Sequence, residues 1–145
     1  MDVSGQIRVE LVKSWEEEQI AELYKVGGWW KDYMDPARLG DLISESYLFA
    51  VAIDISANKS VGMGRVISDG IADAYLQDVV VLPEWRNKGV GKMIVSKLLE
   101  CCRSRSIGWI GLIAQPGTDA FYESLGFVHL EKHVPMLFTG RSEKC

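Results

Sequence analysis

Ile7, Val9 and Leu11 alternate with Arg8 and Glu10, the period of a half-buried strand over residues 7–12. The spacing then changes to that of a helix. Ile20, Leu23 and Tyr24 recur at helical intervals behind Ser14-Trp15-Glu16-Glu17, whose order suits a capping box with Ser at the N-cap and Glu at N3. This predicts a helix over residues 15–25, stopped by Gly27-Gly28. Asp35-Pro36 supplies an N-cap and an N1 proline for a second helix through Leu39, Leu42 and Ile43, ending near Glu45. The segment between the two helices, Trp29-Trp30-Lys31-Asp32-Tyr33-Met34, is too aromatic for an ordinary polar loop.

Residues 47–55 form a nearly continuous apolar strand and residues 60–68 its partner, joined through Ser56-Ala57-Asn58-Lys59 as a hairpin. Asp69-Gly70 makes the next turn into a central strand over residues 73–82, so short connections make this part of the sheet antiparallel. Val90, Met93, Ile94, Leu98 and Cys101 then return to helical spacing. A strand over residues 107–114 can reach the sheet only through that helical crossover, and so should run parallel to the central strand. Pro116-Gly117-Thr118-Asp119 opens a short helix through Phe121 and Leu125, closed by Gly126, and residues 127–130 and 134–138 are expected to complete the sheet. The expected fold is therefore α/β in the α+β sense, one domain over residues 1–145. Its mixed, mainly antiparallel sheet has six to seven strands and helices on both faces.

Composition narrows the function classes. With 145 residues, a formal net charge of −4 and a pI near 5.2, the chain can bury one core but offers no broad basic surface for nucleic acid. Cys101, Cys102 and Cys145 make a poor disulfide framework, which points to a reducing, cytoplasmic setting. No run approaches the roughly 18 apolar residues of a membrane span, and residues 1–6 lack the order of a signal peptide. His129 and His133 lack further His or Cys at ligand spacing, so no metal is expected.

Chemistry concentrates around Arg86-Asn87-Lys88-Gly89-Val90-Gly91-Lys92, which follows a valine-rich strand and its Pro83 exit and precedes a well-patterned helix. By itself the basic glycine cluster also suits a solvated turn. Between a strand and a helix, it can turn several backbone N–H groups and the positive end of the helix dipole onto one anion. It lacks the Gly-Lys-Ser/Thr of a Walker loop, and Ile94 stands where a dinucleotide fingerprint needs its third glycine.

Arg86-x-x-Gly89-x-Gly91 behind Asp78-Val79-Val80-Val81-Leu82-Pro83-Glu84-Trp85, together with Phe121-Tyr122-Glu123-Ser124-Leu125-Gly126-Phe127, resembles the GNAT superfamily of acyl-CoA-dependent N-acyltransferases. The two segments stand in the family's order and at its usual separation. Val61-Gly62-Met63-Gly64-Arg65-Val66 before Asp69-Gly70, and the Trp29-Trp30 loop, are similar to the small members that include arylalkylamine-type acetyltransferases.

The resemblance implies that the central strand and the parallel strand beside it splay apart, and that the pantetheine arm of acetyl-CoA lies in the gap. The donor would contact Val79, Val80 and Val81, with the backbones of Val79 and Val81 pairing with the acyl carbonyl and amides. Arg86, Asn87, Lys88, Gly89, Val90, Gly91 and Lys92 would hold the pyrophosphate, and Gln115 would add a contact from a position where the family often has Asn. Tyr122 would be the general acid to the departing thiolate, since a phenol with a reference pKa of about 10 is protonated at neutral pH.

The family often carries Glu or His where this chain has Tyr75 and Gln77, and neither of these is a good base. Proton removal through water to Asp78, Asp73 or Glu84 is one reading; a structural Asp78, bonded to backbone at the splay, is the other. Trp29, Trp30, Asp32 and Tyr33, with Tyr75 and Gln77, would meet the acceptor, their aromatic faces and negative charge suiting a cationic amine; the alternative is that the aromatics cover the core. The expected activity is transfer of an acetyl group from acetyl-CoA to a primary, small-molecule amine in a ternary complex, by a monomer or homodimer. The rival expectation is a non-catalytic CoA-binding or sensory module of the same fold.

Overall fold

The computed structural model describes residues 2–140, which form two compact units dividing after Leu112. In the first, the strand β1 (Ile7–Leu11) leads to the helix α1 (Glu17–Val26), a 3-10 turn (Pro36–Arg38) and α2 (Leu39–Glu45). Then come β2 (Leu48–Asp54), β3 (Lys59–Ser68), β4 (Asp73–Val81), a 3-10 turn (Pro83–Trp85), α3 (Val90–Ser104) and β5 (Trp109–Gly111). One sheet takes the strands in the order β1-β2-β3-β4-β5, antiparallel through β4 and parallel between β4 and β5.

The second unit carries the short helix α4 (Asp119–Glu123) and, among its described residues, no strand. The sheet thus has five strands where six to seven were expected, because residues 127–130 and 134–138 do not pair. Their apolar residues alternate as strands do, but Pro135 brings no N–H to a ladder and Lys132 turns the chain at φ 63°. Val128, Val134, Met136, Leu137 and Phe138 are all more than three-quarters exposed. Cys145 lies outside the described residues.

Two helix starts show how local signals fared. The capping box does not form: α1 begins behind Glu16 without a side-chain cap, and Glu17 Oε2 instead accepts the Gly40 N–H at 3.1 Å, tying α1 to α2. Asp35 does cap, accepting the Ala37 N–H at 2.9 Å, although Pro36 opens a 3-10 turn before α2 begins.

β2 is buried at every position up to Ile53, as a strand covered on both faces must be. α1 packs on β3 and β4, while α3 packs across β2, β3 and β4. Glycines admit α3 to this close distance. A Cβ on Gly64 would stand 2.9 Å from Ile94 Cγ2, 3.2 Å from Val79 Cγ2 and 3.3 Å from Leu98 Cδ1. Gly64→Val is accordingly expected to cost about 1–3 kcal/mol of stability through overpacking, read as a lower denaturation midpoint; an unchanged midpoint would show that this face has room.

Candidate active site

β4 and β5 share a short ladder, with Asp73 opposite Trp109, Ala74 opposite Ile110 and Tyr75 opposite Gly111. β5 stops there. β4 runs on to Val81, still paired with β3 on its other side, so from Leu76 onward its β5-side edge has no strand partner among the described residues. The Leu82 N–H donates to Val61 O at 2.8 Å, toward β3. Backbone groups alternate sides along a strand, so Val79 and Val81 present their N–H and C=O groups to the open edge. Val80, opposite Met63, is buried in the core.

A bulge sits between these two stretches. The β3–β4 register shifts between Met63 and Arg65, giving β4 one extra residue where Asp78 adopts φ 58°. The Asp78 carboxylate is bonded to side chains, not to the backbone as one reading of the sequence expects. Tyr24 donates its hydroxyl to Asp78 Oδ2 at 2.7 Å, and Arg65 Nε reaches the same oxygen at 2.6 Å as an ion pair. Arg65 Nη1 also donates to Ser46 Oγ at 3.4 Å, at the end of α2. Burial, and then the Asp78 charge, push the Tyr24 phenol far above the ordinary tyrosine range, so it stays a donor. Asp78 Oδ2 thus holds two donors, one of them cationic.

At the end of β4 the chain turns through two left-handed residues, Asn87 at φ 60° and Gly89 at φ 86°, and Gly89 is the N-cap of α3. No side-chain hydrogen bond caps this helix, which leaves first-turn N–H groups to an outside acceptor. Val90 is buried and anchors the helix start, whereas Arg86, Asn87, Gly89 and Lys92 are exposed. Arg86 Nε donates to Val81 O at 2.9 Å, so part of its guanidinium closes the end of the open edge. Lys88 lies over the Trp85 ring at 5.2 Å.

The aromatic segment after α1 divides. Trp29 meets Tyr24 edge-to-face with ring centroids 6.1 Å apart, and Trp30 lies under Lys25 at 5.6 Å, so both pack back on α1. Asp32 and Tyr33 are exposed. On β4, Tyr75 and Gln77 are exposed, and Tyr75 rests against Trp109 of β5 with centroids 5.4 Å apart.

In the second unit, the Tyr122 ring meets Phe121 at 4.9 Å and Phe127 at 5.7 Å, both edge-to-face, and burial pushes its phenol above the ordinary tyrosine value. Gln115 is exposed; its carbonyl accepts the Thr118 N–H at 3.0 Å and hydroxyl at 2.7 Å, shaping the turn into α4. His129 stands 3.6 Å from Asp119 and 3.7 Å from Glu123, an exposed group that spacing along the chain did not reveal.

Sequence reasoning also missed Tyr24, Arg65 and Ser46. Arg65 carried a signal, as a lone charge inside the apolar run of β3. A buried or half-buried cation requires a partner.

A mixed sheet whose parallel ladder ends after three residues, with a glycine loop and an uncapped helix at the end of β4, places the chain among proteins of the acetyltransferase fold. The GNAT-family acetyltransferase of Streptococcus pneumoniae superposes with a TM-score of 0.78 at 24% identity, covering 93% of this chain and 98% of that one. Residues 12–136 match the acetyltransferase (GNAT) domain family, and the chain belongs to that family. An uncharacterised N-acetyltransferase of Pyropia yezoensis is 31% identical over 111 residues, which make up 76% of this chain and 63% of that protein. Serotonin N-acetyltransferase 2, chloroplastic, of Oryza sativa is 35% identical over 72 residues, 50% of this chain and 36% of that protein. The chain thus spans less than two thirds of the length of either relative. Among the described residues no helix is long and apolar enough to cross a membrane.

Proposed function

We propose that the chain is an acyl-CoA-dependent N-acetyltransferase that moves an acetyl group from acetyl-CoA to a primary, small-molecule amine by direct attack in a ternary complex. The observation that carries this reading is the open edge of β4 beyond Tyr75, ending at the left-handed Asn87–Gly89 turn and the uncapped start of α3. An edge of free N–H and C=O groups suits the amides of a pantetheine arm, and a helix N-terminus suits the diphosphate at its far end.

In this reading the N–H and C=O groups of Val79 and Val81 pair with the arm, the Val79 N–H toward the acyl oxygen. The Val81 carbonyl shares its acceptor capacity with Arg86. Asn87 to Lys92 hold the pyrophosphate through backbone N–H groups, with charge from Arg86, Lys88 and Lys92; Gln115 adds a side-chain contact. The amine nitrogen bonds to the thioester carbonyl carbon, the C–S bond breaks, and its electron pair leaves with sulfur, which takes the Tyr122 proton; the nitrogen sheds its second proton as the amide forms, and through water that proton restores the phenol. Burial keeps that phenol protonated at neutral pH. The ammonium loses its own proton to water, since Tyr75 and Gln77 offer no base and Asp78 is engaged by Arg65 and Tyr24.

Exposed Tyr33, Tyr75 and Gln77 with Asp32 are assigned to the acceptor, whose cation and apolar body they match. Trp29 and Trp30 shape this region from behind, packed on α1. The test is mass detection of acetylated product after incubation with acetyl-CoA and separate pools of arylalkylamines, polyamines, aminoglycosides and peptides. Product in a small-amine pool supports the reading; product in the peptide pool alone moves the acceptor to protein. A non-catalytic CoA-binding module is the second reading, favoured by the absence of a carboxylate or imidazole at positions 75 and 77. Acetyl-CoA binding with no product in any pool would establish it.

A further inference from the structure

We infer that Tyr24, Arg65 and Asp78 form a clamp that sets the backbone frame of the donor strand, with Asp78 as a positioning residue and no part of the proton path. The inference rests on the assignment of the open β4 edge to acetyl-CoA. Its starting point is the conformation of Asp78, a non-glycine residue held at φ 58° inside a strand. Aspartate tolerates the left-handed region better than most residues, but such a conformation persists only where its surroundings fix it.

Here the surroundings are three other elements. α1 supplies the Tyr24 hydroxyl and β3 supplies Arg65 Nε, both to Asp78 Oδ2. The C-cap of α2 supplies Ser46, whose hydroxyl takes Arg65 Nη1 and donates to Leu42 O at 2.7 Å, and whose carbonyl takes Lys13 Nζ at 3.1 Å. Ser46 is buried, and the Arg65 and Asp78 side chains are only 17% and 18% exposed. Water therefore competes weakly for these bonds, and the ion pair is better defined than a surface one.

The position of the clamp gives it its consequence. Asp78 immediately precedes Val79, so the bulge determines which way the Val79 N–H points. A one-residue slip in a strand reverses the direction of every following group. If the bulge relaxed into a regular ladder, Val79 and Val81 would turn toward β3 and the open edge would lose its two assigned donors. Tyr24 also meets Trp29 edge-to-face, so the residue that holds the donor strand stands against the segment between the first two helices.

The test compares Asp78→Asn, Asp78→Ala and Tyr24→Phe in the full chain, with titration of acetyl-CoA binding, thermal midpoints and kcat. Asparagine keeps the left-handed preference and an acceptor oxygen, so its acetyl-CoA Kd and its kcat should each stay within about threefold of the parent. Alanine loses both, and its Kd should rise about tenfold, the equivalent of one lost charge-assisted contact. Tyr24→Phe removes one hydroxyl and keeps the ring on Trp29; its Kd should rise about threefold, and it carries the test if the alanine variant does not fold. A lower thermal midpoint with unchanged Kd in the variants would make the clamp merely structural and overturn the inference. So would a collapse of kcat in Asp78→Asn at unchanged Kd, which would put the carboxylate in the proton path. A parent protein that does not bind acetyl-CoA removes the donor assignment itself, and the inference with it.

Discussion

Tyr122→Phe is expected to lower kcat by about a hundredfold while leaving the acetyl-CoA Kd within about threefold, the lower end of what a positioned general acid contributes. The substitution keeps the ring and its edge-to-face contacts with Phe121 and Phe127, removing only the hydroxyl. The size follows from relative acidities. A thiolate with a reference pKa of about 8.5 is a weaker base than a phenolate at about 10, so full proton transfer from an unperturbed tyrosine is already uphill, and burial raises the Tyr122 phenol further. The hydroxyl therefore first hydrogen-bonds to sulfur as its charge develops and passes the proton late, as a general acid whose transfer is uphill.

The same shift sets the pH dependence. A phenol pushed upward stays protonated through the range where amines lose their protons, so kcat/KM should climb with pH and show no loss assignable to Tyr122 below about pH 10. Equal turnover in Tyr122→Phe would remove the residue from this role.

The second large effect is expected from reversing charge at the loop. Arg86→Glu with Lys88→Glu should weaken acetyl-CoA binding about a hundredfold, with the deficit growing as ionic strength falls and like-charge repulsion is less screened. Two cations become two anions beside a diphosphate at the start of α3. Arg86 has a further role, since its Nε holds Val81 O, so part of its effect would come through the end of β4. Lys88→Glu alone separates the charge contribution, because among the described residues Lys88 contacts the Trp85 ring and not the β4 backbone. Acetyl-pantetheine, which lacks the diphosphate, is the control. Its binding should be unaffected by Lys88→Glu, and an equal loss with both donors would place the defect outside a pyrophosphate site.

The first four strands and α1 to α3 were legible because their signals are local and periodic: alternation in β1, continuous burial in β2, and Ile94 and Leu98 on one face of α3. The loop was legible for a similar reason, as Gly89 occupies a left-handed position suited to glycine. What was missed depends on distance along the chain. Tyr24 and Asp78 lie 54 residues apart, and nothing near either predicts their bond. Inside β4, Gln77-Asp78 passes for ordinary polar positions, because a bulge is defined by the partner strand. Glu17 had two competing acceptor roles, and the Gly40 N–H took it from the capping box. Residues 127–138 had the composition of strands, but Pro135 and the turn at Lys132 work against pairing.

The open edge of β4 could not be read from periodicity, because it depends on β5 being three residues long beside a β4 of nine. It is also where the functional reading is most exposed to direct measurement. Amide hydrogen exchange, followed residue by residue with and without acetyl-CoA, reports whether free N–H groups gain a partner. The expected result is strong slowing at Val79 and Val81 and through residues 87–92 on donor addition, with β1 and β2 unchanged. Exchange at these positions that stays fast under saturating acetyl-CoA, or slowing confined to other parts of the chain, would contradict the assignment of the open β4 edge and the α3 N-terminus to the acyl donor.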